Sequence, residues 1–425
     1  SLEDKPDDQL SANEFVFRFF GYWTKLTPEE HAKIRTTLER AVERIPRNAE
    51  IWGCLSLVYY HEFAFGFNEL PNSLDRCLMA AQRAVELNRA SQIAHEALAW
   101  AHFLRRDLAA MPAAIDRAIS LNPRNSNTLA TLGGLLVHTR EFERGAKLTH
   151  RAIELNPHHA GWFYFPLIWD HCSRGEWEQM LERAKRINMP GVWWVPLVIA
   201  SACGHLGRKA EAAAAMNELL AIDPEFASHA RDHMGPLLSA SGLIDSLIEG
   251  LQKAGLQIPD PTVDAKSVMA SELHDLNGSS GSSTRPVSGS ASGEMWIAVL
   301  PFQHPAADPE IENFVGGLAQ DITAALSQFS YLSVIASDST QRGVRYIIQG
   351  GIRKSGSLIR VNVQLIDART GTNLWAETYN RDLKNSVIFT IQDEITDRVA
   401  ATLADNSGVL VRSMVASLED KPDDQ

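Results

Sequence analysis

Apolar positions recur with a helical period from residue 11 to about 255, and with an alternating, strand-like period beyond Met295. Within the helical stretch, segment after segment ends on a similar phrase. "SLNP" runs to Pro123, "ELNP" to Pro157, "INMP" to Pro190 and "AIDP" to Pro224, so the closing prolines lie 34, 33 and 34 residues apart. Going backwards, "ELNR" places Arg89 at the equivalent position 34 residues before Pro123, and "ERIP" places Pro46 another 43 residues before that. The unit between Pro46 and Arg89 therefore carries roughly nine extra residues.

A helix pair repeating every 34 residues, with Pro ending the second helix, is the tetratricopeptide-repeat (TPR) signature. Pro stops a helix because it lacks the N–H that would continue the ladder. Other offsets agree: Trp52, Leu55 and Tyr59 fit W-x2-L-x3-Y, and Leu132-Gly133 fits L-G. Ala41, Ala84, Ala118 and Ala152 each precede the closing position by five residues, where a small side chain lets two helices approach. From Phe226 to Leu256 the pattern becomes a polar-faced helix pair, the capping end that a solenoid needs. The expected fold over residues 1–276 is an α-solenoid of about six TPR hairpins plus a cap, with 259–276 an irregular tail.

Residues 277–293 (NGSSGSSTRPVSGSASG) have no periodicity and read as a flexible Gly/Ser linker. Beyond it, over 294–425, strands are expected at 296–302, 332–337, 344–356, 357–368 and 372–383, and helices at 309–328, 385–404 and about 408–416. Lys354-Ser355-Gly356 and Arg369-Thr370-Gly371 supply hairpin turns. The order β-α-β-β-β-β-α makes a small α/β domain with a mixed sheet.

Composition narrows the function. The net charge is −12 with no basic cluster, which argues against nucleic acid or an anionic membrane as partner. Cys54, Cys77, Cys172 and Cys203 match no zinc spacing and read as buried thiols of a reducing compartment. No stretch reaches 18 apolar residues, so no membrane segment is expected. The glycines of "QGGIRKSG" lack the spacing of a phosphate loop, and no P-loop or G-x-S-x-G occurs. No catalytic residue, metal ligand or cofactor is assigned; carboxylates such as Asp393-Glu394 read as a solvated helix face.

The phrases "IAVLPF" (297–302), "DPEIENFVGGLAQDITAALS", "GVRYIIQGGIRKSG", "QLIDARTGTNLWAETYNRDL" and "IQDEI" resemble the TolB N-terminal-like domain of bacterial signalling proteins. "GWFYFPLIWDHCSRGEWEQMLERAKRINMPGVWW" and "LIEGLQKAGL" resemble the repeats that follow it in that family. The resemblance implies a non-catalytic regulatory or sensory module, C-terminal to a class III adenylate or guanylate cyclase domain. Winged-helix transcription regulators carry the same pair of regions, and a dimerisation scaffold is a further reading. Two departures stand out: only 338–342 separate strand "LSVIAS" from "GVRYII", and the domain order is reversed. Residues 1–9 (SLEDKPDDQ) recur as 417–425, and rejoining 416 to 1 restores the family order. The chain thus reads as a circular permutant, with Ala416 expected close to Leu10 of the same chain.

Counting from each closing position, the concave face of the solenoid is expected to present Tyr60, Trp100, Phe103, Asn127, Tyr164, His171 and Trp194. Aromatic rings with polar tips suit a peptide or protein segment. A Lys/Asn carboxylate clamp is absent, so an acidic C-terminal tail is not the expected ligand. Phe63, Phe65 and Phe67 alternate in the long insertion and are expected to touch the α/β domain, the solenoid or a partner. A homodimer is a further expectation, and the cytoplasm the expected compartment, with the periplasm left open.

Overall fold

The computed structural model describes residues 7, 10–238, 242–258, 296–304, 309–336, 344–383, 388–405 and 408–416. The Gly/Ser stretch, the tail before it, loop 338–342 and the repeated nonapeptide, apart from Asp7, lie outside them.

Six helix pairs follow one another: α1 (Ala12–Lys25) with α2 (Pro28–Arg44), α3 (Ala49–Phe65) with α4 (Ser73–Leu87), and α5 (Gln92–Leu104) with α6 (Met111–Leu121). Then come α7 (Ser126–His138) with α8 (Phe142–Leu155), α9 (Phe165–Ser173) with α10 (Trp177–Ala184), and α11 (Trp194–Leu206) with α12 (Lys209–Ile222). Helices α13 (Phe226–Leu238) and α14 (Ile244–Lys253) cap the stack. The repeat phrases are visible as local chemistry. The side chains of Asn88, Asn122, Asn156 and Asp223 each accept from the backbone N–H two residues on, at 2.9, 3.0, 3.0 and 3.2 Å. These Asx turns release the chain from the helix just before the next pair begins. Asn48, Ser91 and Asn125 then cap α3, α5 and α7 through their side chains.

Ala41, Ala84, Ala118 and Ala152 are buried at 0–1% exposure, so helices meet at all four. Two contacts go further and admit only glycine. A Cβ on Gly133 would stand 2.5 Å from Thr149 Oγ1, and one on Gly204 would stand 1.9 Å from the carbonyl oxygen of Gly250. Backbone contact at Gly133 binds α7 to α8, and at Gly204 it binds α11 to the capping α14.

The fifth repeat departs from the rhythm. Its second helix, α10, ends at Ala184, six residues before Pro190, whereas α2, α4, α6, α8 and α12 each stop two residues before their closing position. The freed segment carries Ile187, Met189 and Val192 against the solenoid core.

The α/β region has five strands among the described residues: β1 (Trp296–Val299), β2 (Ser333–Ala336), β3 (Val344–Ser355), β4 (Leu358–Asp367) and β5 (Thr372–Asp382). Their order is β2-β1-β3-β4-β5, with β1 parallel to β2 and β3, and the rest antiparallel. Helices α15 (Pro309–Ser327) and α16 (Ile388–Ala404) pack together, with α15 over the parallel strands, and α17 (Val409–Ala416) follows. Burial alternates along β4, where Ile359, Val361, Val363 and Leu365 point inward. β1 is shorter than the run 296–302 suggests, because Pro301 cannot donate to a ladder. The chain rejoins β3 at Gln303, and the Phe302 ring occupies the space a Cβ on Gly350 would need, 2.4 Å away. Gly350 of "QGGIRKSG" therefore makes room for a neighbouring ring.

Candidate functional site

Successive repeats rotate, and after six of them the superhelix turns back on itself. Capping helix α13 packs against α3, and the rings of Trp23 on α1 and Trp162 in the 3-10 turn Gly161–Tyr164 come within 6.0 Å. The concave face thereby becomes an axial pocket of about 130 Å³, to which the first helix of every repeat contributes. Its walls are aromatic: Trp23, Tyr60, Trp100, Trp162, Trp169 and Trp194 all face it. Tyr60 and Trp100 lie tilted at 4.5 Å, and Trp169 meets Trp194 edge-on at 5.4 Å. Phe65 closes one side, and Leu237 of α13 adds the cap's contribution.

No Asp, Glu, Lys or Arg lines this space. Besides the polar tips of Tyr60 and the tryptophans, Thr131 and His138 bring polar groups to it, and the indole Nε1 of Trp100 has no partner among the described residues. The Thr131 hydroxyl is committed to the Asn127 carbonyl at 2.8 Å. His138, 6% exposed, has an Nδ1 without a partner among the described residues, and burial pushes its imidazole down to about 3, so the ring is neutral at ordinary pH.

Of the residues expected in a groove, Tyr60, Trp100 and Trp194 converge on the pocket. Phe103 does not: it is fully buried, stacked on His138 at 5.9 Å. Asn127 is buried along α7. Tyr164 turns outward beneath Arg183, and His171 pairs with Glu176 at 2.7 Å. Phe65 and Phe67 fold back on the solenoid, beside Tyr60 and over His31 respectively, and Phe63 packs half-buried on the same core.

A second feature is the seam between solenoid and α/β region. Asp397 on α16 receives Arg124 and, at 2.5 Å, Arg151. Asp405, fully buried at the end of α16, accepts from the Ser126 hydroxyl and, at 3.0 Å, from the Asn156 amide. Asn156 thus closes its own repeat with one atom and holds the α/β region with another. Beside these, Tyr331 stands edge-on to Phe17 and Phe20 of α1, at 5.9 and 4.9 Å, and donates to the Ala404 carbonyl. Helix α17 packs on α1. Nearby, Glu96 is buried with the Thr128 hydroxyl at 2.7 Å; burial, with some help from Asp405, raises its carboxyl to about 7.

The sequence reading missed one cluster. Asp223, His229 and His233 bring ligand atoms within 4.8 Å of one another at the start of the cap, a set compatible with a divalent transition metal. The i,i+4 histidine pair on α13 was its available signal.

No family model matches the chain. A curated relative, described as putative adenylate cyclase 3 of Rhizobium meliloti (strain 1021), is 40% identical over 122 residues, 25% of this chain and 20% of that protein. The match thus spans a fifth of the relative's length. Among solved structures, the Cut9-Hcn1 hetero-tetramer of APC/C is similar over 59% of this chain and 48% of that one, at 13% identity and a TM-score of 0.43. YrrB, a TPR protein, is similar over 44% of this chain and 92% of its own, at 16% identity and 0.30. TolB from Acinetobacter baumannii is similar over 25% and 28%, at 17% identity and 0.20. No helix among the described residues is long and apolar enough to cross a membrane.

Proposed function

We propose that this chain is the non-catalytic regulatory part of a bacterial signalling protein, the portion that follows the catalytic domain of a class III adenylate or guanylate cyclase. The observation that carries the reading is the 40% identity over 122 residues to a protein described as a putative adenylate cyclase. In this reading the solenoid is the interaction surface for a protein or peptide segment. The α/β region, TolB-like in its motifs, couples that surface to an output domain.

The seam supports such coupling. A carboxylate as deeply buried as Asp405 tolerates little displacement, because separation would leave Ser126 and Asn156 unpaired. Motion of the fourth repeat and of the α/β region is therefore linked. The packing of α17 on α1 also supports the permuted reading, in which residue 416 once ran directly into the first repeat. Under that order the output domain would join ahead of Glu294.

The test restores the family order, with 294–416 running into the solenoid, joins a class III catalytic domain ahead of Glu294 and compares its cyclic-nucleotide production with that of the catalytic domain alone. The expected result is a several-fold change in turnover on joining, and none by the chain itself. Equal rates with and without the chain, or turnover that follows the isolated chain through a sizing column, overturns the proposal.

A further inference from the structure

We propose that the axial pocket is a binding site for a small, uncharged aromatic molecule, held between the tryptophan rings and hydrogen-bonded through His138. Four observations lead there, and none of them depends on the cyclase reading. The first is size. A cavity of about 130 Å³ is close to one that accepts benzene and well below the several hundred Å³ of a drug-sized site. A peptide strand does not fit; one or two fused rings do.

The second is charge. An ion of either sign entering this space would lose water and meet no counter-ion, since no Asp, Glu, Lys or Arg lines the walls. Aromatic faces attract cations, and a chain of net charge −12 would draw them in, but most of these rings are already engaged face or edge with each other. A neutral ring can extend that packing at no such desolvation cost.

The third is the unspent polar group. His138 Nδ1 is buried and without a hydrogen-bond partner among the described residues, as is the nearby Trp100 Nε1, on walls that are mostly apolar. A buried polar group normally has a partner. One donor or acceptor on the guest would supply it and orient the ring.

The fourth is placement. The guest would touch Trp23 of the first repeat, Trp162 of the fifth and Leu237 of the cap, so occupancy pins the two ends of the superhelix together. Trp23 shares α1 with Phe17 and Phe20, which hold Tyr331 of the α/β region. Occupancy is thereby felt at the seam.

The experiment titrates indole, phenol, benzene and tetramethylammonium into the full chain and follows tryptophan emission and Tm. Indole or phenol is expected to bind saturably with a Kd below about 1 mM, tighter than benzene by about tenfold, with tetramethylammonium inert. Gly134 lines the pocket, and a Cβ there meets only Pro166 at 3.6 Å, so Gly134→Leu fills the space from a tolerant position. That variant should bind indole at least tenfold more weakly, and His138→Phe should erase the advantage of indole over benzene. Intermolecular NOEs from indole protons to the Met189 and Thr131 methyl groups locate the guest in the unaltered protein, whatever the variant's folding. Absence of saturable binding, binding by tetramethylammonium alone, unchanged affinity in folded Gly134→Leu, or NOEs elsewhere overturns the proposal.

Discussion

The pocket and the seam are both buried where separate elements meet, yet they are built on opposite principles. The pocket gathers rings and leaves two buried polar atoms, His138 Nδ1 and Trp100 Nε1, without a hydrogen-bond partner among the described residues. The seam gathers carboxylates and pairs them: Asp397 with two arginines, Asp405 Oδ2 with a hydroxyl and an amide. Apolar packing is tolerant of what fills it, whereas a buried carboxylate fixes position because any slip strands a charge. The contrast suits a part that admits a guest and a part that holds register.

That contrast can be broken by mutation. Trp100→Ala should have the largest effect, about 4 kcal/mol of lost stability from an enlarged cavity, seen in denaturant melts. Asp405→Ala should cost about 3 kcal/mol by orphaning Ser126 and Asn156, and should loosen the α/β region before the solenoid unfolds. Hydrogen exchange would locate the loss in α16, α17 and α1. Asp397→Ala should cost only about 1 kcal/mol, because both arginines remain partly solvated. If Asp397→Ala matched Asp405→Ala, burial would not be what distinguishes the two carboxylates.

Protonation separates the buried groups in the same way. Glu96 has a folded value near 7, above its ordinary 4.5, so it favours the folded state when protonated. Its contribution is fully present below about 4.5 and lost as pH rises through about 7. His138 and His61, both pushed down by burial, act the other way, withdrawing stability as pH falls below 6.5. The difference between wild type and Glu96→Gln isolates the first effect: from pH 5 to 8, wild type should lose stability relative to the variant. A parallel pair of curves would contradict the raised value. The smallest effect is expected at Gly134→Ala, a gain of about 0.5 kcal/mol from helix propensity with no clash.

Much of the solenoid was legible because its signals are local. The Asx turn, the closing Pro and the small residue five positions earlier each act within one repeat, and they recur where the 34-residue spacing puts them. The fifth repeat broke the rule, with α10 ending six residues before Pro190, and the sequence carries no local signal for it: "ERIP" also lacks an Asn or Asp before its Pro, yet α2 stops on schedule. The α/β strands were legible from alternation, except where Pro301 interrupts β1. The pocket was only half legible. Counting offsets finds Tyr60, Trp100 and Trp194, but closure depends on rotation accumulated over six repeats, which no single repeat encodes. The same count placed Phe103 in a groove although its ring points between helices, and it had no means of pairing Asp405 with Ser126, 279 residues away.

On these contacts, α/β region and solenoid form one unit within a single chain. Native Cys54, Cys77, Cys172 and Cys203 are all buried, so spin labels can be directed to Met79→Cys and Phe389→Cys, at exposed positions on α4 and α16. Pulsed electron-spin distance measurement should give one narrow distribution that is unchanged on dilution with unlabelled protein and broadens in Asp405→Ala. A broad distribution in the otherwise native protein, or one that disappears on such dilution, would contradict the claim.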